Sequence, residues 1–120
     1  MKLYWTMPQV VKAHYCRELD LYKTEFKRRN LTQAWRHLER AHILAQAWPR
    51  EHVYAHWRML RFGVFIKSPR EVIGQIPRLL VGGVKSFVGK IPVGNTGGAN
   101  VPPLRQMDIP EELDRILKSN

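Results

Sequence analysis

Four of the chain's five histidines, His37, His42, His52 and His56, fall in the stretch HLERAHILAQAWPREHVYAHW, residues 37–57, together with Glu39 and Glu51. Imidazole is the commonest protein metal ligand and the side chain that titrates nearest neutrality. Neutral imidazoles joined by one or two carboxylates are the donors that divalent zinc, iron or nickel accept. Without an ion, the same groups pass protons or pair with a carboxylate inside a core. Which chemistry is open depends on whether the rings converge, and helices decide that.

The apolar spacing sets those helices. Val11, Tyr15, Leu19, Tyr22 and Phe26 recur at helical intervals after Pro8, predicting a first helix over about 8–28. Leu31, Trp35, Leu38, His42 and Ala45 form the stripe of a second, about 32–47. Pro49 restarts the chain, and Val53, His56/Trp57, Leu60 and Val64 mark a third, about 50–66. Ser68-Pro69-Arg70-Glu71 reads as a capping box opening a fourth helix, with Ile73, Ile76, Leu80 and Val84 on one side. Gly89 to Gln106 reads as loop, and Ile109-Pro110-Glu111-Glu112-Leu113 opens a short last helix. No stretch alternates long enough for a confident strand. The expected fold is all-α: a small antiparallel helical bundle over 1–88, with an extended Gly/Pro-rich segment and short helix, 89–120, packed on it.

Antiparallel helices that turn near residue 49 bring residues to one level when their numbers sum to about 98. His42 and His56 sum to 98. His52 lies one turn before His56, and Glu39 one turn before His42. His37 sits about 140° around the helix from His42, so it should point elsewhere. The same sum about residue 30 sets Glu18 opposite His42. The candidate ligand set is therefore His42, His56 and His52, completed by Glu39 or Glu18. Glu39-Arg40-Ala41-His42 has the E-x-x-H spacing of di-iron bundles, but the second such motif and the further glutamates of that pattern are missing.

The loop Gly94-Asn95-Thr96-Gly97-Gly98 invites comparison with a phosphate cradle. It lacks the Gly-Lys-Ser/Thr ending of a P-loop and the spacing of a dinucleotide fingerprint. A shaped connector closing over the bundle is one reading, and an anion-binding nest of backbone N–H groups is the other.

The net charge is +10, and it is unevenly placed. Residues 1–90 carry 17 Lys/Arg against six acids, whereas 91–120 carry three against four. Such a body attracts polyanions, and Lys27, Arg28 and Arg29 form its densest basic surface. The alternative function is accordingly a basic helical interaction module binding an acidic protein or nucleic acid. A single cysteine, Cys16, excludes an internal disulfide. With no signal-like text in MKLYWTMPQVVKAH, it sets the expectation of a cytoplasmic protein. The Ile73–Val88 stretch is interrupted by Arg78, Lys85, Pro77 and Gly82, so no transmembrane segment is expected.

Two resemblances follow from quoted residues. Ala34, Leu38 and Ala41, with Leu21 upstream, look like the packing positions of one tetratricopeptide unit, although no second unit repeats at that family's period. HLERAHILAQ, HVYAHWRML and IPVGNTGGANV together resemble a small bacterial family called domain of unknown function 3703. That resemblance implies a compact stand-alone protein with Glu39, His42, His52 and His56 inside its signature blocks, and it implies no activity. The function expected is non-catalytic binding of one divalent transition metal, zinc, iron or nickel, through the His/Glu cluster.

Overall fold

Pro8 stands at the head of α1, Gln9–Lys27, whose inward stripe is Val11, Tyr15, Glu18 and Tyr22. The computed structural model describes residues 6–81, 96–99 and 107–119. Four further helices follow in it: α2, Leu31–Ala45; α3, Pro49–Phe65; α4, Pro69–Val81; and α5, Glu111–Lys118. The described residues contain helices and no strand, so the protein is an all-α bundle. Along α1 to α4 each helix packs on the next, and α5 packs on α1 and α2.

The turns after α1 and α3 share one construction. Arg29 has φ 63° and Lys67 has φ 57°. Asn30 N–H donates to Glu25 O and Arg29 N–H to Phe26 O, while Ser68 N–H donates to Gly63 O and Lys67 N–H to Val64 O. Both are the 6→1 and 5→2 pairs of a Schellman motif, closed by a basic residue where glycine is usual. The turn between α2 and α3 is different. Every residue from Ala41 to Trp48 is buried, and Pro49 then opens α3 at a position that needs no N–H donor.

Two apolar clusters make the core. Val11, Tyr15, Ala41, Leu44, Trp48 and Leu113 belong to one, and Tyr22, Ala34, Leu38, Met59 and Phe62 to the other. Along α2 the histidine position 42 falls between Leu38 of the second cluster and Ile43 of the first. Along α3, His52 and His56 likewise fall between Trp48 and Met59. Leu113 is fully buried, which ties α5 to the first cluster and withdraws a side chain worth about 2 kcal/mol from water.

α4 departs from expectation. Its Ser68 cap is present, with Glu71 N–H donating to Ser68 Oγ at 3.3 Å. The Glu71 carboxylate does not return to complete a capping box. It accepts from Gln75 Nε2 at 2.7 Å and from Ala99 N–H instead. Ile73 and Ile76 are exposed, and Gln75 is fully buried. Among the described side chains of α4, Glu71, Gln75 and Arg78 form a polar strip that reaches the segment 96–99.

Candidate metal centre

The levels computed for the α2–α3 hairpin match the geometry. His42 Nε2 lies 3.0 Å from His56 Nε2 and 2.9 Å from His52 Nε2, and the third edge, His52 to His56, is 3.1 Å. The rings stand at 52–75° to one another, so three edges rather than three faces meet. All three side chains are 1–2% exposed. Among the described residues these three alone form a group of potential ligands close enough to share one ion.

Hydrogen bonding from α4 fixes the state of one of these nitrogens. Gln75 Nε2 faces the Glu71 carboxylate and, at 2.8 Å, the Gly97 carbonyl, both of which can only accept. The amide orientation is therefore determined, and Gln75 Oε1 is the atom 2.6 Å from His56 Nδ1. An amide oxygen only accepts, so His56 carries its proton on Nδ1 when neutral. Its Nε2 then offers a bare lone pair to the centre of the triangle. This is the outer-shell arrangement that orients and polarises a ligating imidazole, with Glu71 at its far end.

The segment 96–99 covers the cluster. Gly97 has φ +90°, and a Cβ built on it would lie 2.8 Å from His42 Nε2 and 2.7 Å from His42 Cδ2. Only a hydrogen atom fits between the loop and that ring. The loop's carbonyls face the body, Gly97 O accepting from Gln75 and Gly98 O from Arg78. Ala99 N–H donates to Glu71, so this amide is already held by an anion belonging to the chain. Of the residues expected to form an anion nest, Gly97 lies against His42, Thr96 hydrogen-bonds Glu39 and Gly98 O accepts from Arg78. Gly94 and Asn95 lie outside the described residues.

The two carboxylates expected to complete the ligand shell are directed elsewhere. Glu18 Oε1 accepts from His37 Nδ1 at 2.8 Å and from Arg40 Nε at 3.1 Å. His37, five residues from His42, points away from the cluster as its helical angle requires, and Glu18 goes with it. Glu39 accepts hydrogen bonds from Trp35 and Thr96, and burial holds its carboxyl above the ordinary range. It belongs to the wall beneath the covering segment and not to the ligand triangle. Lys27 ends α1, and Arg28 and Arg29 continue it as cap and turn, away from the histidines. Arg29 lies over the rings of Phe26 and Phe65.

Sequence reasoning missed Gln75 and the role of Glu71. One signal was present: Glu71, Gln75 and Arg78 recur at helical spacing, a polar stripe on the side of α4 opposite its isoleucines.

Among the described residues no helix is long and apolar enough to cross a membrane. No curated protein and no solved structure matches the chain. A family model described as a protein of unknown function, DUF3703, matches residues 9–117, and the chain belongs to that family.

Proposed function

We propose that this member of the family holds one divalent transition-metal ion through His42, His52 and His56. The observation that carries the reading is the convergence of three Nε2 atoms within 3.1 Å in a buried site. Three imidazole Nε2 atoms this close are a donor set that one cation can bind together, and His56, with its proton on Nδ1, already turns an unprotonated Nε2 to the centre. Metal–nitrogen bonds of about 2.0–2.1 Å would let His42, His52 and His56 hold one ion in common. Zinc, iron(II) and nickel(II) all accept such a set.

The ligands are sealed from solvent, which suits retention of an ion more than its presentation to a substrate. We therefore read the site as non-catalytic. Elemental analysis of protein purified without a histidine tag should find about one equivalent of metal per chain. Cobalt(II) added to stripped protein should give visible ligand-field bands. Each of His42→Ala, His52→Ala and His56→Ala should abolish both, with helical circular dichroism recorded to show that the chain still folds. A folded wild-type chain that retains none of these ions at micromolar concentration would refute the proposal.

A further inference from the structure

A groove of 340 Å³ lies between the C-terminal halves of α1 and α3, away from the histidines. Its α1 wall is Tyr22 and Phe26 with Lys23 and Lys27, each pair one helical turn apart. Its α3 wall is Arg58, Arg61 and Phe65. Every charged side chain lining it is a cation. Phe26 and Phe65 meet at 4.6 Å between ring centroids, and the Arg29 guanidinium lies 5.7 and 5.0 Å from those two rings. The left-handed turn at Arg29 delivers this fifth cation to the same end of the groove. On the opposite wall the Arg58 guanidinium sits 5.3 Å from the Tyr22 ring and is hydrogen-bonded to that side chain.

We propose that this groove binds an aromatic base carrying a phosphate, the shared chemistry of a free mononucleotide and of one nucleotide in a single strand. The argument is complementarity of two kinds. Aromatic rings give a base a stacking surface whatever its identity. Arginine forks match phosphate oxygens, and Arg58 and Arg61 bring two of them to one wall of the groove. The volume falls at the small end of ligand pockets. Rim lysines one turn apart, about 5.4 Å along the axis, flank one or two phosphates and not a long backbone. This inference is independent of the metal reading, since no histidine lines the groove.

The test is calorimetric titration of the full chain, at physiological salt, with adenosine monophosphate, adenosine, inorganic phosphate and a four-residue deoxyadenosine oligonucleotide. The monophosphate should bind at least tenfold more tightly than phosphate or adenosine. Arg58→Gln and Phe65→Leu should each weaken it about tenfold or more. Phe65 is exposed at the groove rim, so its variant keeps the fold, and an unchanged melting temperature for both variants separates lost contacts from lost structure. A tighter oligonucleotide that is weakened by the same two variants supports the groove and identifies a strand as the source. A tighter free monophosphate identifies a small molecule. Monophosphate binding no stronger than phosphate, or oligonucleotide binding indifferent to Phe65→Leu, overturns the proposal.

Discussion

Gly97 is the residue on which the histidine cluster most depends without contributing a ligand. Alanine there must adopt φ near +90° and place a methyl carbon 2.8 Å from His42 Nε2. Gly97→Ala should cost about 1–3 kcal/mol of stability and displace the His42 ring, so metal content should fall while the variant still folds. Gln75→Leu removes the acceptor that holds the His56 proton on Nδ1. Competition against a chelator should show metal affinity falling about 10–100-fold, with all three histidines intact. A separate expectation concerns Tyr15 and Tyr22. Burial raises both phenols above their ordinary value near 10, and Tyr15 also donates to the Glu51 carbonyl at 3.0 Å. A raised phenol favours the folded state fully below pH 10, and that contribution disappears as pH climbs through the raised folded value. Stability should therefore decline above pH 10, and tyrosine ionisation followed at 295 nm should coincide with loss of helix. The three histidines were legible because their spacing on two adjacent helices fixes both face and level. Gln75 was not, because its approach to His56 depends on how α4 crosses α3, and no spacing within one helix records a crossing.

At the scale of elements, the five helices among the described residues were legible from stripes, prolines and the Ser68 cap, whereas the polar strip of α4 was not. Apolar residues mark a buried face only when the neighbouring surface is also apolar. α4 meets a polar centre and the 96–99 carbonyls, so Ile73 and Ile76 are left outside. The two Schellman turns were equally hidden, because Arg29 and Lys67 are not the residues that usually reveal a left-handed conformation. Replacing Lys67, whose side chain is exposed, should show the cost directly. Lys67→Gly should raise stability by about 0.5–1 kcal/mol in denaturant titrations, since glycine relieves the positive φ at a site already committed to it. The opposite result would mean that the lysine makes contacts that outweigh its backbone strain. α5 is held by Leu113 and by Arg40, whose Nη2 donates to Glu112 at 2.6 Å. We propose that the C-terminal segment is an integral part of the bundle. Leu113→Ala should then cost about 2–4 kcal/mol, and Glu112→Ala, at an exposed ion pair, less than about 1 kcal/mol.

For the whole molecule, an ion bound only by the folded chain raises stability by mass action, about 2.7 kcal/mol at a hundredfold excess over Kd. In thermal unfolding this should appear as a melting temperature higher by about 10 °C with zinc, nickel or iron(II) than with a chelator, and absent in His56→Ala. One feature of the hairpin limits that figure and adds a kinetic consequence. All three histidines of the proposed site come from residues 42–56, across a turn that ends up enclosed by the rest of the bundle. Closing so short a loop costs little chain entropy, so an ion can draw the three rings together before α1, α4 or α5 has docked. The ion would then act as a nucleus: metal should accelerate refolding, and slow unfolding less than the equilibrium gain alone would suggest. Residual affinity of the unfolded hairpin for the ion would also trim the gain in melting temperature. A turn that the finished protein buries is, on this account, the first part of it to form.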